Sequence, residues 1–159
     1  VMMNDNIDWG ILHLSTHIIL FPGPGLPKTS GELMKVIHNY HSNKNILCVC
    51  LGMQAIAEYF GGQLINLQEV QHGVQSSIEI KGTSKLFEQI PSKIEVGRYH
   101  SWAVDKDHLP KEFKITSVDS GQVPMSMEHA TLPIYAVQFH PESIMTGFGK
   151  QILRNWLNA

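Results

Sequence analysis

An α/β fold, with a mixed and mostly parallel central sheet flanked by helices, is what this sequence predicts. Three observations predict it. Two short apolar runs, His17-Ile18-Ile19-Leu20-Phe21 and Asn45-Ile46-Leu47-Cys48-Val49-Cys50, each end at a glycine-containing turn and lead into a stretch of helical spacing. The middle of the chain instead alternates polar and apolar residues, the pattern of antiparallel strands with one wet face. A third buried run, Ile134-Tyr135-Ala136-Val137-Gln138-Phe139, and a final amphipathic segment return to the first type. No linker interrupts the 159 residues, which are enough for one core, so residues 1–159 are expected to form a single domain.

Taken in order, the chain opens on Val1-Met2-Met3, which reads as a strand already under way. An α/β domain ordinarily begins with a complete strand and helix, so that first pair is expected to be missing ahead of Val1. The run from His17 is a buried strand stopping at the rigid turn Pro22-Gly23-Pro24-Gly25. Thr29-Ser30 offers an N-cap, and Leu33, Val36, Ile37 and Tyr40 recur at helical spacing. The strand from Asn45 turns at Leu51-Gly52 into a helix running through Gln54 to Phe60, closed by Gly61-Gly62. Residues 75–81 alternate as an exposed antiparallel strand, and 93–96, 114–118 and 124–129 read as further short strands. The run from Ile134 stops at His140-Pro141-Glu142. A last helix over 147–157 carries Phe148, Ile152, Leu153 and Trp156 on one face.

Composition excludes more than it identifies. A formal charge of −2 with no charge run leaves no electrostatic footprint for nucleic acid or a membrane surface. The apolar runs are too short to span a bilayer, and a reducing, cytoplasmic setting is expected. Nine histidines are many, but none shows metal-ligand spacing, so no metal is expected. The two cysteines, Cys48 and Cys50, are read as alternating along one strand and so facing opposite ways, which argues against a disulfide and against a shared zinc site.

Cys50 stands where a strand meets a helix, the geometry of a nucleophile elbow. The sharp turn exposes the thiol, the helix N-terminus favours the thiolate, and unpaired backbone N–H groups can bind an oxyanion. Gly52 permits the turn without a Cβ clash. Buried cysteines are mostly small core hydrophobes, and that reading fits Cys48 between Leu47 and Val49. His140 ends another apolar strand. It can take the thiol proton, and Glu142 can fix its tautomer. Both residues sit at the strand ends where open α/β sheets gather their functional groups. The loop from Pro22 to Pro27 also follows a strand, and its glycines, Gly23 and Gly25, allow close approach of a preorganised N–H.

Together these residues resemble the class I, or triad, glutamine amidotransferases. The Pro22–Pro27 loop, Cys50-Leu51-Gly52-Met53-Gln54 and His140-Pro141-Glu142 occur in that family's order over nearly the whole chain. Within the class, Asn4-Asp5, Gly97-Arg98-Tyr99-His100-Ser101, the stretch from Gln138 to Thr146, and Arg154-Asn155 look most like the small subunits of anthranilate synthase and aminodeoxychorismate synthase. The resemblance implies a flavodoxin-like core and glutamine hydrolysis through a γ-glutamyl thioester on Cys50. Ammonia would pass to a large chorismate-binding synthase subunit, with no cofactor in this half of the reaction. It further implies an oxyanion site at the Gly25 and Leu51 N–H groups. Gln54 and the backbone around Ser101-Trp102 would hold the glutamine α-amino and carboxylate groups. Cys48 stands where the family usually has glycine and is expected to be buried and unreactive; Met53 stands where this subfamily often has histidine. Three alternatives stay open: the aminodeoxychorismate enzyme, another amidotransferase of the class, and a non-catalytic docking subunit. Nothing in the sequence gives the His100 imidazole a task.

Overall fold

The computed structural model describes residues 1–159. In chain order the elements are α1 (Trp9–Leu14), β1 (His17–Leu20), α2 (Leu33–Tyr40), β2 (Asn45–Val49), α3 (Leu51–Tyr59), β3 (Leu64–Ile80), β4 (Lys93–Val104), β5 (Phe113–Asp119), β6 (Pro124–His129), β7 (Ile134–Val137) and α4 (Gly149–Leu157). All seven strands join one sheet in the order β1-β2-β7-β6-β5-β3-β4.

The sheet is mixed and flanked by helices, as expected, but its parallel share is smaller than the sequence suggests. Only β1–β2 and β2–β7 pair parallel; the other four pairings are antiparallel. Connection length decides this. The short links β5–β6 and β6–β7 are hairpins, whereas α2 supplies the crossover between β1 and β2, and β7 returns beside β2 only after α3 and the four strands β3–β6.

Alternation along β2 divides the core. Ile46 and Cys48 pack with Leu20, Val36, Ile37 and Ile56 on the side of α1, α2 and α3. Leu47 and Val49 pack with Val96, Phe139, Ile152 and Trp156 on the side of α4. Ile46 and Leu47 are both wholly buried, each contributing about 1.5–3 kcal/mol of transfer free energy.

Several boundaries differ from the sequence reading. Val1, Met2 and Met3 are not in a strand; they are exposed, and a lone bridge joins Met3 to Asn6. Helix α1 went unforeseen, although the Asp8 side chain caps it by accepting from the Ile11 N–H. Helix α2 starts at Leu33, after Glu32, because Pro27–Thr29 takes up a separate turn of 3-10 helix. Strand β3 runs seventeen residues, and β4 extends through Trp102, which places the whole Gly97–Ser101 stretch inside the sheet. The end of α3 fits expectation: Gly61, at φ +90°, donates to the Glu58 carbonyl while Gly62 donates to that of Ala57, a Schellman closure.

Candidate active site

The end of β2 builds the elbow. Cys50 has φ 53° and ψ −104°, a conformation strained for a residue with a Cβ, and α3 begins at the next residue. Its N–H donates to the Val137 carbonyl at 2.8 Å, which ties the elbow to the end of neighbouring β7. Gly52 is required here: a Cβ would lie 2.6 Å from the Leu20 carbonyl oxygen. The first amides of α3, Leu51 N–H among them, have no acceptor within the helix and leave a partial positive charge beside the sulfur.

The elbow also separates the two free cysteines. Cys48 belongs to the α1–α3 side of the core and Cys50 to the α4 side, as expected, but not through strand alternation. Residues i and i+2 of a strand share a face. The strand stops at Val49, and the positive φ of Cys50 swings its side chain across. Cys48 is fully buried, and burial pushes its thiol far above the usual range.

Because β2 and β7 are paired, residues distant in sequence meet at their ends. His140 lies three residues past Val137, and its N–H is anchored to the Gly97 carbonyl at 2.9 Å. Its carbonyl accepts from the Thr146 hydroxyl at 2.7 Å, and that hydroxyl accepts from Gly97 N–H at 3.0 Å. Gln75 of β3 braces the same loop by donating to the Met145 carbonyl at 2.8 Å. The edge of the Tyr99 ring packs on the imidazole at 4.8 Å between centroids. Nδ1 of His140 meets the Glu142 carboxylate at 2.7 Å. Nε2 is buried and has no formed hydrogen bond. Burial alone would lower the imidazole pKa, but the nearby Cys50 thiol and the Glu142 carboxylate outweigh it and hold the pKa up at about 9. The Cys50–His140 approach is thus close enough to act on the ring yet loose, a common state of catalytic pairs without substrate.

The Pro22–Pro27 loop packs against this elbow, since a Cβ on Gly23 would meet the Leu51 side chain at 3.3 Å. Gly25, at φ +86°, adopts the left-handed region that favours glycine. Gln54 is buried in the first turns of α3, and its Nε2 donates to the Trp102 carbonyl at 2.8 Å and reaches Gln138 Oε1 at 3.3 Å. Ser101 and Trp102 are half-buried on β4. The structure therefore gathers Cys50, Leu51, Gln54, Gly23, Trp102, His140 and Glu142 around one end of the β2–β7 pair, with Gly25 two residues beyond Gly23 in the loop and Ser101 next to Trp102 on β4.

The family model for glutamine amidotransferase class-I matches residues 2–159. The chain belongs to the class I glutamine amidotransferases. This amidotransferase is 44% identical over 142 residues to a Haemophilus influenzae protein provisionally named anthranilate synthase component II, covering 89% of this chain and 74% of that one. It is 39% identical over 142 residues to the aminodeoxychorismate/anthranilate synthase component 2 of Bacillus subtilis, covering 89% and 73%. Among solved structures, a Thermoplasma acidophilum protein provisionally assigned to GMP synthase superposes with a TM-score of 0.85 at 28% identity, over 98% of this chain and 77% of that one. As a member of the class, this chain is an enzyme that acts on the side-chain amide of glutamine. No helix in it is long and apolar enough to cross a membrane.

Sequence reasoning gave no role to four buried or half-buried polar residues near the amidotransferase site: Gln138, His100, Arg98 and Asp119. A signal existed for Gln138, a polar residue in the apolar run Ile134–Phe139, but not for Arg98, whose neighbours Glu95, His100 and Ser101 are themselves polar. For His100 and Asp119 the signal was absent until β4 and β5 were placed in one sheet.

Proposed function

We propose that this chain is the glutaminase component of a chorismate-aminating synthase, with Cys50 as nucleophile, His140 as its base and acid, and Glu142 as the group that orients His140. The observation that carries this is the His140 imidazole. One nitrogen is held by a carboxylate, and the other is buried, unpartnered and beside a thiol on a strained elbow.

His140, whose pKa of about 9 keeps the ring protonated at neutral pH, holds the Sγ proton on Nε2, and the Cys50 thiolate attacks the glutamine amide carbon. The charge then moves to the carbonyl oxygen, where the Leu51 and Gly25 N–H groups meet it; each such donor is worth about 3 kcal/mol in the transition state. His140 returns the proton to the departing nitrogen, which leaves as ammonia. Water then cleaves the γ-glutamyl thioester with His140 again as base. Gln54 commits Nε2 to the protein and keeps Oε1 for the substrate α-ammonium. The Trp102 carbonyl already accepts from Gln54 and His100, so the backbone of Ser101 is the better partner for the glutamine α-groups.

Support for the partner, a large chorismate-binding subunit, comes from relatives named for anthranilate and aminodeoxychorismate synthases. The Bacillus subtilis relative carries both names, which favours a glutaminase able to serve either product. The test is intact mass and peptide mapping after incubation with diazo-oxo-norleucine, a diazoketone analogue of glutamine, with and without the large synthase partner. One adduct, on Cys50, is expected. No adduct in either state would leave only a docking role.

A further inference from the structure

A chain of buried polar groups ends on the Cys50 sulfur, and its donor directions can be assigned without ambiguity. Asp119 Oδ2 accepts from Arg98 Nη1 at 2.8 Å, an ion pair in which both side chains are largely buried. Arg98 Nε donates to His100 Nε2 at 3.1 Å, so that nitrogen must be unprotonated. His100 Nδ1 therefore carries the hydrogen and donates it to the Trp102 carbonyl at 2.9 Å. A carbonyl only accepts, so Gln54 must present Nε2 to Trp102, and the same Nε2 reaches Gln138 Oε1. That fixes the second amide: Gln138 turns Nε2 toward Cys50 Sγ, 3.6 Å away. The Trp102 carbonyl thus sets, through Gln54, which end of Gln138 faces sulfur.

Resting on the assignment of Cys50 as nucleophile, the geometry points to Gln138 as a further catalytic residue, whose amide N–H donates to the sulfur and stabilises the thiolate. Gln54, itself fixed by the Trp102 carbonyl, holds its orientation. Gln138 is wholly buried, and Cys50 Sγ is the sole acceptor for its Nε2. A neutral thiol is a weak acceptor, so in the protonated enzyme this buried amide is poorly satisfied. When the Sγ–H bond breaks and the proton moves to His140 Nε2, sulfur keeps the electron pair. The same N–H then makes a charge-assisted bond to it. In the thioester, sulfur is again a poor acceptor. The donor therefore favours the thiolate over the states on either side of it, acting where backbone donors aimed at the oxyanion cannot.

The test is the pH profile of Cys50 alkylation by iodoacetamide in the full-length chain, located by peptide mapping, for wild type, Gln138→Met and Gln138→Glu. Melting temperatures are recorded alongside. Loss of one bond to a charged acceptor should slow Gln138→Met alkylation at neutral pH about tenfold and move the profile about one pH unit upward, with no lower plateau at high pH. Gln138→Glu should move it further, because a carboxylate opposes the thiolate. A folded Gln138→Met with an unmoved profile overturns the proposal, as does failure of both variants to fold, which would make Gln138 structural. A wild-type Cys50 that does not react at all overturns the nucleophile assignment as well, and so separates the two failures.

Discussion

Lowering the pH from 7 to about 4 should remove about 3 kcal/mol of folding stability through His100 alone. Burial depresses its pKa, with the Arg98 and His140 charges adding to burial, while the Trp102 carbonyl and Asp119 oppose them; the result falls from 6.5 to about 4. At about 1.36 kcal/mol for each factor of ten in proton affinity, that drop is worth about 3 kcal/mol. The sign follows from where the proton sits. Below 6.5 the unfolded chain binds a proton at this residue that the folded chain refuses. Stability contributed by neutral His100 is thus complete above pH 6.5, declines as pH falls through the window to about 4, and is gone below it. The geometry adds to burial: protonation at Nε2 would set a second positive charge against Arg98 Nε at 3.1 Å. Urea unfolding followed by circular dichroism at pH 7, 6, 5 and 4 measures the effect. Comparison with His100→Gln removes the contributions of the carboxylates and other histidines, since glutamine can donate and accept but does not titrate here. Wild type should lose about 3 kcal/mol more than the variant across the window. A wild-type-minus-variant difference that stays flat with pH would refute the assignment of a neutral, donor-locked His100.

Cys50→Ser should reduce glutamine-dependent synthesis by the assembled synthase at least about a thousandfold, with ammonia-dependent synthesis unchanged; loss of both would make Cys50 structural. Because His140 must be protonated to release ammonia, glutaminase kcat should fall above about pH 9. Glu142→Gln removes part of what holds that value up, so the alkaline limb should move to lower pH and kcat should drop about a hundredfold; an unmoved limb would show that Glu142 does not act on the ring. Gly149 opens α4 with its Cα directly against Pro141, and an added Cβ would overlap the Pro141 carbonyl. Gly149→Ala should destabilise the fold by about 1–3 kcal/mol and lower kcat about a hundredfold by displacing His140 and Glu142, measurable as a lower Tm and slower glutamine turnover.

The residues proposed to react were brought to attention by local rules in the sequence. A cysteine followed by Leu-Gly and helical spacing specifies the elbow, and His140-Pro141-Glu142 marks the end of the buried strand that proves to be its neighbour. The antiparallel half was less legible. Residues 64–74 carry Gln68, Glu69, Gln71, His72 and Gly73, which hide a strand whose pairing with β4 is interrupted by two register shifts. Strand β4 hides its continuation in the same way, since Gly97 and Arg98 break the expected alternation. Gly97 is there for packing: a Cβ would meet the Ser143 hydroxyl at 2.8 Å. Arg98 is there for Asp119, a partner on another strand that no window of sequence around residue 98 contains.

That difference in legibility reflects a division of labour within one sheet. The parallel strands β1, β2 and β7 end together, so a nucleophile and a base placed at two of those ends meet whatever lies between them in sequence. Ends alone do not fix which way an amide or an imidazole points. That task falls to β4 and β5, whose side chains form the ordered series from Asp119 through Arg98 and His100 to the Trp102 carbonyl. The series starts at a buried ion pair, where a carboxylate can only accept and a guanidinium can only donate, so its direction is set at the outset. From the other side the Trp102 carbonyl, which can only accept, orients Gln54 and through it the Gln138 N–H beside sulfur. The charge pair, which adds little net stability when buried, fixes the His100 tautomer, and the Trp102 carbonyl fixes the amides.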